Sequence, residues 1–117
     1  MKTILKALLL FSLLFTFCTP AFAGWKEKIA ENQMRAIQYI TQLKNGANPD
    51  TISRPTLRRD DKYSAKKANS EIRDAMTEAE NLARQGKNKS IKVPDFEKLL
   101  SDEGYMELKK KYGIKNN

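Results

Sequence analysis

The apolar residues divide the chain into one uncharged segment and several amphipathic ones. Ala7–Phe17 is an apolar run without a charged residue, whereas after Gly24 apolar residues recur at every third or fourth position. This spacing places them on one side of an α-helix. It predicts helices at four places: near 25–44, 64–85, 95–100 and 102–112. We therefore expect an all-α fold, a small helical bundle or helical hairpin with a C-terminal helical segment.

The first predicted helix, 25–44, has one apolar and one polar side. Its apolar stripe is Trp25, Ile29, Ala36, Ile37, Ile40 and Leu43. Its opposite side is Lys26, Lys28, Glu31, Asn32, Arg35, Gln38 and Gln42. Asn45-Gly46 predicts a left-handed end to the helix. The stripe is typical of the core face of a small bundle, and the alternative is a helix that binds a membrane surface or the groove of a partner.

The second predicted helix, 64–85, carries a seam rich in alanine. The seam is Ala65, Ala68, Ile72, Ala75, Ala79 and Leu82. Ser64 is the predicted N-cap, and Gly86 ends the helix. Alanine gains little from burial but permits close approach of another helix, so we expect antiparallel packing on the first helix. In the alternative, Ala68, Ala75 and Ala79 contact a second copy or another protein's helix.

A long connection, 47–63, separates these two helices. Pro49 and Pro55 prevent a continuous helix here. Basic residues lie close together in this segment, with Asp60 and Asp61 beside them: Arg54, Arg58, Arg59 and Lys62. They form either a solvated cluster that neutralises itself or a surface that contacts an anionic partner. Long irregular loops are often functional, so these four residues are candidate partner contacts.

The C-terminal part predicts two short helices. Pro94 suits the first turn of a helix over 95–100, and acidic residues follow it. Ser101 begins the second helix, near 102–112, with Tyr105 on its apolar face. Three lysines and then Gly113 complete its C-terminus. Phe96, Leu99 and Leu100 are expected to face inward.

Residues 1–23 have the three parts of a secretory signal peptide. Lys2 and Lys6 precede the apolar run, and Ala21-Phe22-Ala23 supplies small residues at a cleavage site. The run is shorter than the roughly 20 residues that cross a bilayer, which disfavours a permanent anchor. We expect cleavage between Ala23 and Gly24, leaving one helical domain, 24–117, in the periplasm or secreted.

Composition excludes several kinds of chemistry after cleavage. The whole chain has no His, and its one Cys, Cys18, lies in the signal segment, so we expect no metal, cofactor or thiol site. Ser64 and Lys67 have the spacing of a serine nucleophile and its lysine base, but the companion motifs are missing. We therefore expect no catalytic residues and no enzymatic activity.

The basic charge leaves several classes of partner to compare. Residues 24–117 contain 20 Lys or Arg and 14 Asp or Glu, a formal net charge of +6. Acidic residues interleave with the basic ones, which disfavours nucleic acid. We expect a non-catalytic protein that binds another envelope protein, as an accessory component of a secretion or conjugative-transfer machine, a chaperone or an inhibitor. The alternatives are a membrane-active or toxic protein acting on anionic lipid and, more weakly, a small enzyme; the sequence leaves the oligomeric state open.

Overall fold

The computed structural model describes residues 24–114 and shows an all-helical fold. Its three α-helices are α1, Trp25–Lys44, α2, Tyr63–Arg84, and α3, Asp102–Lys111; a 3-10 turn spans Asn88–Ser90. The predicted fold class, a small bundle with a short C-terminal helix, is confirmed. No helix among the described residues is long and apolar enough to cross a membrane. The predicted signal peptide, 1–23, lies outside the described residues.

The helices α1 and α2 pack side by side and run in the same direction. Asn32 of α1 contacts Asn69 of α2, and Tyr39, further along α1, contacts Glu80, further along α2. The expected antiparallel packing is therefore wrong. Parallel neighbours need a connection that returns over their full length, roughly 30 Å for a 20-residue helix. This requirement explains why the connection between α1 and α2 is so long.

Two irregular segments run back along the helix pair, and we call them the first and second return segments. The first, 45–62, passes Glu80 at Arg54, Asn69 at Arg58 and Lys28 at Asp60. The second, 85–101, begins beside the C-terminal end of α1 and reaches Gln33 near its middle. Both segments carry the chain from the C-terminal ends of the helices towards their N-terminal ends.

The ends of α1 and α2 share one arrangement because each is followed by a glycine at positive φ. Gly46 has φ 106° and Gly86 has φ 76°. In each case the next residue's amide donates to a carbonyl in the last turn, from Ala47 to Gln42 and from Lys87 to Leu82. This is the Schellman arrangement. The start of α2 differs from expectation: the N-cap is Lys62 rather than Ser64, and Asp60 Oδ1 accepts a hydrogen bond from the Lys62 amide at 3.0 Å.

The main core lies between α1 and α2. Its buried residues are Ile29, Ala36, Tyr39, Ile40, Leu43, Ala65, Ile72, Met76, Ala79 and Ile91. A smaller cluster lies on the other side of α1, where Ala30 and Met34 pack on Tyr105 of α3. The helix α1 is therefore covered on both sides. Its predicted polar side is wrong at Asn32, which is fully buried.

The predicted helix over 95–100 does not form. These residues are irregular in the structure and belong to the second return segment. The carbonyl of Glu97 accepts a hydrogen bond from Gln33 Nε2, and the Leu99 amide donates to the Tyr105 hydroxyl. Side chains from α1 and α3 thus take backbone groups that a helix would use internally. Phe96 and Leu99 nevertheless pack against the main core, as their apolar character predicts.

Candidate protein-binding surface

The three candidate alanines are used within the fold. Ala79 is buried between α1 and α2, and Ala68 and Ala75 are partly buried against the same core. Small side chains at these positions let the two helices approach closely. In the described structure the seam packs mainly against α1, with Ala68 and Ala75 left partly exposed.

Arg54 also makes contacts within the protein. Its Nη1 donates to Glu80 Oε1 at 3.0 Å and to Thr77 Oγ1 at 3.1 Å, and its Nη2 donates to the Arg73 carbonyl at 3.2 Å. This arginine therefore fixes the first return segment to α2. Of the four basic candidates, it is the one whose guanidinium is held by hydrogen bonds.

Glu80 forms a buried polar contact that the sequence did not reveal. Its Oε2 accepts a hydrogen bond from the Tyr39 hydroxyl at 2.5 Å. Burial, the hydrogen bond to Glu80 and the charge of that carboxylate raise the pKa of Tyr39 to about 12. Both side chains are satisfied, so they tie α1, α2 and Arg54 together. In sequence Glu80 resembles the exposed acidic residues around it, and only the tertiary position distinguishes it.

The remaining candidates, Arg58, Arg59 and Lys62, are exposed side by side on the first return segment. The backbone beneath Arg58 is held from two helices. Asn32 accepts from the Arg58 amide and donates to its carbonyl, both at 2.9 Å, and Asn69 donates to the same carbonyl at 3.0 Å. Two buried asparagines thus fix the backbone of an irregular segment whose basic side chains point into solvent.

The next part of the segment is fixed by Lys28. Its Nζ lies 3.1 Å from Asp60 Oδ2 and 3.3 Å from the Arg59 carbonyl. The hydrogen bond from the Lys62 amide, followed by that from Lys28, holds the pKa of Asp60 below its usual range. Asp60 is therefore occupied by local contacts, whereas Arg59 and Lys62 are exposed.

A groove of about 610 Å³ lies between α1, the second return segment and α3. Its apolar walls include Met34, Ile37, Phe96 and Met106. Its polar lining residues are Gln33, Asp95, Lys98, Asp102, Tyr105 and Lys109. Ser64 and Lys67 lie elsewhere, in a smaller depression of about 380 Å³ beside Trp25.

Within residues 24–114, no three His, Cys, Asp or Glu side chains come together as ligands for a metal ion. Comparisons with protein-family models, curated proteins and solved structures found no match. The arguments for function therefore rest on the chemistry of the surface. The feature that distinguishes this surface is the fixed basic stretch at Arg58, Arg59 and Lys62, which we call the basic ledge.

Proposed function

We propose that the protein is exported to the periplasm, or secreted, after cleavage between Ala23 and Gly24, and that it binds another protein of the cell envelope there without catalysis. In this role it serves as an accessory component of a secretion or conjugative-transfer machine, a chaperone or an inhibitor. The observation that carries the proposal is the basic ledge: exposed cations at Arg58, Arg59 and Lys62 on a backbone fixed by buried Asn32 and Asn69.

A fixed backbone favours recognition because less conformational freedom is lost when a partner binds. Arginine is also enriched at protein interfaces, where its guanidinium forms paired hydrogen bonds with carboxylates. Asn32 and Asn69 hold the peptide groups beneath the cations through hydrogen bonds, so the basic side chains project from a defined backbone. The ledge is therefore better suited to a specific contact than to general solubility.

Binding to another protein is favoured over membrane activity by the position of the apolar residues. Apart from Ile37, which packs on the smaller cluster, the stripes of α1 and α2 that would enter a bilayer are buried against each other. Membrane insertion would require these helices to separate, at the cost of the main core. The exposed cations alone provide electrostatic attraction to anionic lipid, which salt screens.

The direct test is capture of a partner from an envelope extract by crosslinking and pull-down. We expect the wild-type protein to recover a discrete envelope protein that also binds after purification. The variant Arg58→Glu/Arg59→Glu/Lys62→Glu should reduce its capture at least about tenfold. The matched control, Lys87→Glu/Lys89→Glu/Lys92→Glu, changes net charge equally on the second return segment and should retain capture.

Two outcomes would count against the proposal. Failure to recover any partner after crosslinking would remove its basis, and so would equal loss of capture in both triple variants. Leakage of dye from anionic vesicles, abolished by Ile37→Glu in a variant that remains folded by circular dichroism, would favour the membrane-active alternative instead.

A further inference from the structure

A second group of charged residues lies directly beside the basic ledge, and Glu31 is at its centre. Glu31 Oε1 accepts a hydrogen bond from the Tyr112 hydroxyl at 3.0 Å. Arg58 Nη1 lies 3.9 Å from Glu31 Oε2, and Lys111 Nζ lies 3.9 Å from Oε1. One carboxylate therefore attracts two cations, from the first return segment and from the C-terminal end of α3.

The Glu31 carboxylate forms no hydrogen bond with either Arg58 or Lys111. A separation of 3.9 Å is outside hydrogen-bond range, so the contact between Glu31 and each cation is electrostatic only. The side chains of Arg58 and Lys111 are 52% and 62% exposed. Exposed pairs of this kind contribute little stability. Both cations thus keep hydrogen-bond donors available to an incoming anion.

The groups around Glu31 are held in place. Tyr112 is tied to α1 through its hydroxyl and through its carbonyl, which accepts a hydrogen bond from Gln38 Nε2. Lys111 Nζ lies 5.6 Å from the centre of the Tyr112 ring, within the range of a cation–π contact. Arg35, one turn after Glu31, donates from Nη2 to Asn32 Oδ1 at 2.9 Å. The Arg35 guanidinium therefore adds fixed positive charge next to the basic ledge.

Building on the proposed function, we propose that Arg58 and Lys111 bind a carboxylate side chain from an acidic segment of the partner protein, in competition with Glu31. The bound carboxylate takes the position between the two cations that Glu31 now approaches loosely. Arg59 and Lys62 of the ledge then contact further acidic residues of the same segment. The partner contact thus joins the first return segment to α3.

The charges around the cluster favour an acidic peptide over a lipid surface. A shallow depression on one side of the cluster, of about 400 Å³, is lined by Glu27, Glu31 and Glu107 together with Lys111. A broad anionic surface would bring its charges against these carboxylates. A narrow peptide segment can reach Arg58 and Lys111 while it avoids them.

The test measures binding of a fluorescein-labelled octaglutamate peptide to the purified protein by anisotropy at low salt. Arg58→Gln and Lys111→Gln should each weaken binding about two- to fivefold, the effect of one exposed charge pair. Glu31→Gln should strengthen it by a similar factor, because the internal competitor is removed. This variant is the decisive one, provided that circular dichroism shows that it remains folded.

Three controls separate the cluster from general charge and from stability. Lys89→Gln and Glu78→Gln change net charge equally at distant exposed positions and should have little effect. Tyr112→Phe removes the hydrogen bond to Glu31 without changing charge and should not strengthen binding. Equal effects at clustered and distant positions, or no gain from Glu31→Gln, would overturn the inference. Cluster-dependent binding to vesicles of phosphatidylglycerol, with none to the peptide, would overturn it as well.

The inference and the proposed function fail in different ways. If the triple variant of the basic ledge abolishes partner capture while Lys111→Gln and Glu31→Gln leave it unchanged, the proposed function stands and the role of the cluster is wrong. If the peptide binds as expected but no envelope protein is captured, the carboxylate site stands without the proposed partner.

Discussion

The two return segments perform the same structural task with different means. Both run back along parallel helices, and both are held by an amide side chain of α1, Asn32 for the first and Gln33 for the second. The first segment carries exposed cations over that attachment. Both segments also pack apolar residues against the main core, Ile52 and Leu57 from the first and Phe96 and Leu99 from the second, but only the second adds a fully buried core residue, Ile91. The two segments therefore differ in how deeply they enter the core and in which backbone groups the side chains of α1 hold, not in whether they pack.

The attachment of the first segment is the more extensive of the two. Asn32 serves both the amide and the carbonyl of Arg58, and it also contacts Asn69 and Arg35. In the second segment, Gln33 and the Tyr105 hydroxyl share the backbone between Glu97 and Leu99. Breaking each attachment separately tests whether the two segments depend on each other.

The largest effect is expected from Asn32→Ala. This change removes hydrogen bonds to both backbone groups of Arg58 and leaves Asn69 Oδ1 without its partner in a buried site. A buried polar group without a partner costs about 1–3 kcal/mol, and we expect a loss of about 3 kcal/mol in the free energy of unfolding. Urea denaturation monitored by circular dichroism measures it. Gln42→Ala, an exposed amide on the same helix, should change stability by less than about 0.5 kcal/mol. Similar small effects from both variants would contradict the role assigned to Asn32.

The contrast between the segments also explains which parts of the fold the sequence predicts. Periodic apolar residues and Gly46 and Gly86 are local signals, and they locate the long helices to within about one residue. The irregular state of 95–100 depends on Gln33, which lies 64 residues before Glu97, and on Tyr105 of α3, so local preference for a helix gave a wrong prediction. The direction of α2 relative to α1 likewise depends on where the return segment finds partners, which periodicity does not reveal.

The candidate binding residues likewise separate into those whose environment the sequence predicts and those whose environment depends on tertiary contacts. Exposure of Arg58, Arg59 and Lys62 follows from their charge and from the prolines that keep the segment irregular. The internal use of Arg54 depends on Glu80, a carboxylate that reads as surface-exposed in the sequence. The burial of Asn32 was missed because an amide on a helix normally marks its solvent side. A polar residue between apolar stripes on both sides of a helix is the signal that could have found it.

The second prediction concerns pH, because Arg54 and Tyr39 meet at Glu80 and fix the first segment to α2. The pKa of Tyr39 is raised to about 12, above its ordinary value near 10, so the folded state holds this proton more tightly than the unfolded state. The stabilisation is complete below pH 10 and is lost as pH rises through about 12. A shift of two pKa units corresponds to somewhat under 3 kcal/mol.

Urea denaturation between pH 9 and pH 12 tests this prediction. The wild-type protein should lose stability more steeply over that interval than Tyr39→Phe, which has no ionisable hydroxyl at this position. Tyr63→Phe, at a tyrosine that is 80% exposed, should follow the wild-type curve. Parallel curves for wild type and Tyr39→Phe would show that the pKa of Tyr39 is close to its ordinary value.

The smallest change in stability is expected from Tyr105→Phe. This variant also distinguishes most clearly between the attachments of the two return segments. Its hydroxyl accepts from the Leu99 amide at 2.6 Å and lies 2.9 Å from Gln33 Oε1. Its loss leaves both groups without this partner while the ring still packs on α1, so we expect a cost of about 1–2 kcal/mol. Because the main core does not include Tyr105, the damage should remain local: amide hydrogen exchange should accelerate in α3 and near Leu99 but not around Arg58. Exchange that accelerates equally at Arg58 would show that the two segments form one cooperative unit, and the basic ledge would then depend on α3 for its shape as well as for Lys111.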